Sequence, residues 1–201
     1  MPYARLASLW REERAAQLVE FAVALPLLMI FVVGIFDFSS ALTLKLKLTN
    51  LARDAARSAA ADPASDLQSP STTVPASVMD AFHLIDNYFL DSNLNDCGIT
   101  ARGSPTNLTW TFTATGNGCP SGGLKIIINR GYFFPLSGAA VASASCTSQG
   151  TGSPTVFTPV ATCVSIQYGY PWRFGRVASI LGRSDTLPSQ IAAVGVALNE
   201  N

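Results

Sequence analysis

Leu18-Val19-Glu20-Phe21-Ala22-Val23-Ala24-Leu25-Pro26-Leu27-Leu28-Met29-Ile30-Phe31-Val32-Val33-Gly34-Ile35-Phe36 decides how the rest of the chain is read. Beyond Glu20 the run Phe21 to Phe36 carries no charge. As a helix it would rise roughly 24 Å, and Leu18 and Val19 extend it close to the ~30 Å hydrocarbon core of a bilayer. Arg5, Arg11 and Arg14 precede it, so the positive-inside rule places the N-terminus in the cytoplasm. Glu12 and Glu13 dilute that bias, and Lys45, Lys47, Arg53 and Arg57 follow the span. A cleaved secretory signal is the other reading, with Ser39-Ser40-Ala41 as its small-residue site. Against it, the apolar run exceeds the roughly 7–15 residues of such signals.

Two residues break the apolar character of the span. A lone carboxylate is costly in hydrocarbon, so Glu20 either finds a partner or sits at headgroup level near the cytoplasmic face. Pro26 removes one backbone donor, giving either a tolerated kink or a flexible point.

Arg14-Ala15-Ala16-Gln17-Leu18-Val19-Glu20-Phe21-Ala22-Val23-Ala24-Leu25-Pro26-Leu27-Leu28 resembles the start of TadE-like proteins, minor pseudopilins of the tight-adherence (Tad/Flp) pilus. The shared pattern is a basic leader, a small residue, then a Glu-Phe pair opening an apolar helix with an early proline. Asn50-Leu51-Ala52-Arg53-Asp54-Ala55-Ala56-Arg57 is similar to a second stretch of the family. The resemblance covers roughly Ala15 to Ala60. It implies a bacterial inner-membrane protein with a periplasmic head, a structural rather than enzymatic role, and possible incorporation into an extracellular pilus. Implied partners are other pilin or pseudopilin subunits, a prepilin peptidase, the pilus assembly platform and membrane lipid. Cleavage would fall between Ala15 and Ala16, where the family usually carries Gly before the cut. Glu20, Phe21 and Pro26 are the implied assembly residues. The freed α-amine of Ala16 in a neighbouring subunit would pair with Glu20, and a carboxylate in the first turn also complements the helix dipole.

From Asp37 to Ala61 there is no Gly or Pro, and Leu44, Leu48, Leu51, Ala55 and Ala59 form a stripe at helical spacing. Leu42 to Thr49 alternates like a strand, but the flanking pattern is helical. One helix from about Arg14 to Ala61 would run roughly 70 Å. Asp62-Pro63 stops it, and residues 62–77 read as a Pro/Ser/Thr-rich linker. Ser77 with Asp80 suggests a helix start, and Val78, Phe82, Ile85 and Phe89 an amphipathic helix over 78–90. Strand character follows at Leu108–Thr115, Leu124–Asn129, Ala161–Tyr170 and Ile191–Leu198, with a short helix over Arg176–Gly182.

The expected class is α+β: a long N-terminal membrane-spanning helix continuing as a stalk into a disulfide-bonded antiparallel-sheet head. Its parts are a cytoplasmic leader (1–15), the transmembrane helix and stalk (16–61), the linker (62–77) and the head (78–201). The even cysteine count, all after the span, fits an oxidising compartment. Of three connectivities, Cys97–Cys119 with Cys146–Cys163 closes the smaller loops, each contributing on the order of 3 kcal/mol in the chain-entropy model.

Formal net charge is zero, which gives no reason to expect nucleic acid as a partner. Charged residues make up 13%, roughly half the usual soluble share, as in a loop-rich secreted domain. No catalytic motif, phosphate loop or dinucleotide fingerprint is present, so neither catalytic residues nor a cofactor are expected. His83, the only histidine, reads as solvated, and Asp80, Asp86 and Asp91 as surface acids. Asp91 to Asp96 starts like a calcium loop but lacks its sixth-position Gly and twelfth-position Glu, so an Asn/Asp-rich turn is the better reading. No metal is expected, since Cys-x-x-Cys is absent. Asn107-Leu108-Thr109 is a glycosylation sequon in form only. Tyr132-Phe133-Phe134 and Tyr168 to Phe174 read as core, with a partner contact as the alternative. The competing function is a membrane-anchored periplasmic ligand-binding or enzymatic domain outside any filament.

Overall fold

A computed structural model describes residues 3–63, 65, 67, 74–133, 143–147, 160–173 and 187–200, with side chains described from residue 16 onward. The chain divides into two compact units, Met1–Ser40 with Trp172–Leu187, and Ala41–Pro171 with Pro188–Asn201. Helix α1 covers Tyr3–Ala61 and α2 covers Ala76–Asp91. Strands β1 (Ser104–Thr106), β2 (Thr109–Ala114), β3 (Leu124–Phe133), β4 (Val160–Gly169) and β5 (Gln190–Leu198) form one antiparallel meander in the order β1-β2-β3-β4-β5. The class is α+β.

In the second unit, the alanine-rich part of α1 lies along β5. Leu44, Leu48, Leu51, Ala55 and Ala59 are buried, together with Ala41, Ala52, Ala56 and Ala60. The run Leu42 to Thr49 is helical, and its alternating leucines divide between two faces. Leu44 and Leu48 point inward, while Leu42 and Leu46 are 63% and 65% exposed. The Lys45 ammonium donates to the Ala192 carbonyl, and the Glu200 N–H donates to the Ala60 carbonyl at 3.1 Å. Between those ties, Gly195 sits directly against the backbone of Ala52 and Arg53, with no room for a Cβ. Small helix residues and one strand glycine let the two backbones meet. β5 is an edge strand, and a helix laid along it protects it from pairing with foreign strands.

The other side of the core comes from α2. Its buried residues include Val78, Ala81, Phe82, Ile85 and Phe89. The Phe82 ring lies 4.7 Å from that of Phe112 on β2, and Phe89 lies 5.3 Å from Tyr168 on β4. Alternation along the strands brings Trp110, Phe112, Ile126, Ile128, Val164, Ile166 and Ala193 to this helix-facing side, all buried. Ser77 does not cap α2. Pro75 is the N-cap residue, no side chain caps it, and Ser77 is buried one residue into the helix. Proline has the right φ for this position and no N–H to leave unsatisfied, so the helix starts earlier than the Ser-Asp pattern suggests.

The opposite face of the sheet is covered by a short strap, residues 143–147. Cys146 joins Cys163 of β4 by a disulfide, and Cys97 joins Cys119, with Cα–Cα distances of 5.7 and 4.9 Å. The Ala144 carbonyl accepts from Ser165 Oγ at 2.6 Å and Gln167 Nε2 at 2.8 Å, and the Cys146 carbonyl accepts from Asn129 Nδ2 at 2.8 Å. Beneath the strap Ile127, Tyr132, Ala161 and Cys163 form an apolar cluster edged by Val194 and Val196.

A β-bulge interrupts β3, where Arg130 and Gly131 together oppose Thr162. The extra residue turns Tyr132 onto the strap side while Arg130 reaches to the helix side. Arg130 is 1% exposed. Its guanidinium donates to the Ala59 carbonyl, to the Asp62 carbonyl at 2.9 Å and to Thr162 Oγ1 at 3.3 Å. A cation thus fills the C-terminal end of α1, where carbonyls lack intrahelical donors and the dipole is negative.

The Asp91–Asp96 segment is a turn closed by its own side chains. Asn95 Oδ1 accepts from the Cys97 N–H at 2.8 Å, and Asp96 Oδ1 accepts from the Gly98 N–H at 3.1 Å. Among the described residues no group of His, Cys, Asp or Glu is placed to hold a metal ion. The segment Arg176–Gly182, Phe134 and Phe174 lie outside the described residues, as does half of 62–77. Pro171 and Arg173 are exposed and Trp172 half-buried, so the stretch 168–174 is core at Tyr168 but not at these three residues.

Asp86 departs from the surface reading. One of its carboxylate oxygens is buried without a partner. Burial raises its pKa above 3.8, the nearby Asp96 raises it further, and His83 one turn away opposes the shift. The folded state therefore holds this proton more tightly than the unfolded chain. The stabilisation is complete below pH 3.8 and is lost as pH rises through the raised folded value. Asp86→Asn removes that dependence. Its melting temperature should exceed wild type at pH 7, and the gap should close as pH falls toward 4, measured by thermal unfolding at both pH values. Gly195→Ala drives a methyl into the Ala52 backbone. It should cost about 1–3 kcal/mol, within the range of core overpacking, read from the denaturant midpoint of the detergent-solubilised chain.

Candidate functional site

The candidate site is the first part of α1. Over this stretch the side chains are large and face outward on every side of the helix. Leu18, Val19, Phe21, Val23, Leu27, Leu28, Met29 and Phe31 are all more than half exposed. A soluble helix buries one apolar stripe, whereas an all-round apolar surface belongs in lipid or against other helices. This is the helix long and apolar enough to cross a membrane, and none of its most apolar window is buried.

Glu20 is exposed on this surface, the one acidic residue between Gln17 and Phe36. Phe21 beside it is 63% exposed. Ala15 and Ala16 both lie within α1, six and five positions before Phe21 by sequence number. Pro26 sits inside α1, which continues through it. Having no N–H, Pro26 leaves the Ala22 carbonyl without its helical donor. In hydrocarbon such a group stays unsatisfied unless a neighbouring element reaches it.

The structure therefore sets Glu20, Phe21 and Pro26 on one uninterrupted helix. The four cysteines belong to a different place, the sheet unit, where they pin the strap and the turn after α2. His83, Asp80 and Asp91 are exposed on α2.

Two residues at the end of the span escape sequence reading. Asp37, there only the boundary of the apolar run, is buried at 4% exposure. Phe38 packs its ring 5.3 Å from that of Trp172, at an interplanar angle of 55°. The two are far apart in sequence, so no local pattern could pair them.

A family model described as TadE-like protein matches residues 15–57. No curated protein and no solved structure matches the chain. The matched residues begin at Ala15, include Glu20, Phe21 and Pro26, and end in the part of α1 that packs on β5. From Ala15 to Arg57 the chain is similar to TadE-like proteins, a family that suggests association with a Tad pilus.

Proposed function

We propose that the chain is a structural minor pseudopilin that takes part in assembling a Tad-type pilus, at initiation, at the tip or in anchoring. The observation that carries this reading is the family match on a helix whose all-round apolar surface holds one exposed carboxylate, Glu20. A helix built this way is covered by lipid before assembly and by neighbouring helices after it. Lipid tails are as apolar as leucine, so association must come from packing and polar partners. Glu20 supplies the polar part.

In this reading residues 1–15 are a cytoplasmic leader, 16–61 the span and stalk, 62–77 a linker and 78–201 a periplasmic head. A prepilin peptidase cuts between Ala15 and Ala16. The new α-amine of one subunit then pairs with Glu20 of the next, which relieves the cost of a lone carboxylate in hydrocarbon. Leu42 and Leu46 support the same surface farther along. They are exposed beyond the span on the helix side away from the sheet, where a neighbouring helix would cover them. Pilin subunits, the peptidase, the assembly platform and lipid are the partners of this model.

The test is the N-terminal residue of the membrane-extracted protein, read by mass spectrometry with and without the peptidase. A peptidase-dependent start at Ala16 is expected. Met1 in both strains would overturn processing and favour a permanently anchored periplasmic domain, and a start at Leu42 would mean an ordinary signal peptide. Glu20→Ala should be processed normally yet lower pilus assembly roughly tenfold or more, the factor that about 1.4 kcal/mol represents. Unchanged assembly would remove Glu20 from the mechanism.

A further inference from the structure

Leu18 to Phe36 is close to the thickness of the hydrocarbon layer, so the backbone leaves it near Phe36. Phe38 lies two residues on, about 3 Å farther along the helix axis, in the headgroup layer. Its ring meets that of Trp172 at 5.3 Å, which holds Trp172 at the same depth. Trp172 is half-buried, Phe38 beside it is 47% exposed, and Arg173 is exposed. A tryptophan has an apolar ring and one N–H donor, and it favours the boundary where one side is apolar and the other wet.

The local sequence supplies the charge. Between Trp172 and Ser184 there are three arginines, Arg173, Arg176 and Arg183, and no acid. The exposed Arg173, next in sequence to Trp172, complements an anionic lipid surface. We propose that Trp172 and Arg173 form a second membrane contact, with the Trp172 indole in the headgroup layer and the Arg173 guanidinium on the phosphate of an anionic phospholipid. This rests on the reading of Leu18–Phe36 as a membrane span.

The experiment uses the full chain in vesicles of phosphatidylcholine with or without phosphatidylglycerol. Trp10→Phe removes one tryptophan, Trp110 is buried in the sheet core, and the difference between W10F and W10F/W172F isolates Trp172. Trp172 emission should be quenched most by lipids brominated near the headgroup and shielded from aqueous iodide. Adding phosphatidylglycerol should deepen that quenching. Arg173→Gln, a change at an exposed side chain, should abolish the phosphatidylglycerol effect. Equal quenching of the two tryptophan variants, or free access of iodide to Trp172, overturns the contact and leaves a ring packed only on the helix. A phosphatidylglycerol effect that survives Arg173→Gln overturns the lipid-phosphate role. Alkaline carbonate separates the two levels: a chain that washes off the vesicles defeats the span itself, and a retained chain without Trp172 quenching defeats this proposal alone.

Discussion

Arg130 is a fully buried cation that the sheet unit has to satisfy, and it does so by drawing in the end of α1. A charge taken out of water costs several kcal/mol unless its donors are used. Here the two terminal nitrogens, Nη1 and Nη2, meet the Ala59 and Asp62 carbonyls and the Thr162 hydroxyl. Those helix-terminal carbonyls would otherwise be buried without donors. Thr162 Oγ1 donates its own hydrogen bond to Asn199 Oδ1 at 2.6 Å, and Asn199 Nδ2 donates to the Arg130 carbonyl at 3.2 Å. One side chain thereby fixes the end of a helix, a bulge, a strand and the last residues of β5's extension. The bulge is what makes this reachable. It is itself satisfied, since the Arg130 N–H donates to the Leu108 carbonyl and the Gly131 N–H to Asn129 Oδ1, both at 2.9 Å.

The two faces of the sheet are held by different physics. On the helix side, large aromatic and aliphatic residues meet α2, and alanines let α1 approach to backbone contact. On the strap side, the described residues 143–147 have to be held against β3 and β4. A disulfide and three side-chain hydrogen bonds to strap carbonyls take over that task. The strap's own hydroxyls, Ser143, Ser145 and Thr147, bond to one another on the exposed side.

Periodic features of the chain were readable without coordinates. The stripe from Leu44 to Ala59 is a helix face because its spacing and alanine content leave few alternatives, and the four longer strands lie within a few residues of their expected bounds. The cysteine pairs that close the smaller loops are the pairs in the structure. What local sequence hides is tertiary. β1, Ser104-Pro105-Thr106, is too short and too proline-interrupted to register as a strand, yet it pairs across a two-residue turn at Asn107, whose φ of 55° suits asparagine. β3 runs past Asn129 because a bulge absorbs Arg130 and Gly131, which read in sequence as the end of a strand. Gly195 looks like an ordinary weak point in a strand, and its reason is a helix backbone more than a hundred residues earlier. In the N-terminal helix the motif residues are legible as a pattern, whereas the Phe38–Trp172 contact depends on a distant segment.

Side-chain size divides α1 into two kinds of surface. From Leu18 to Phe31 the helix is dominated by Leu, Val, Phe, Ile and Met, which maximise contact with lipid or with neighbouring side chains and keep backbones apart. From Ala52 to Ala60 alanines occupy the inward positions, so the backbone comes down onto Gly195 and stays there. Exchanging these two compositions would fail at both ends. Alanines in the span would weaken its hold on hydrocarbon, at about 25 cal/mol for each Å² of apolar surface lost. Leucines over β5 would lift the helix from the strand and pull the Ala59 carbonyl away from Arg130. The residues that bind the sheet are therefore different from the large exposed ones, and each set serves one surface of α1.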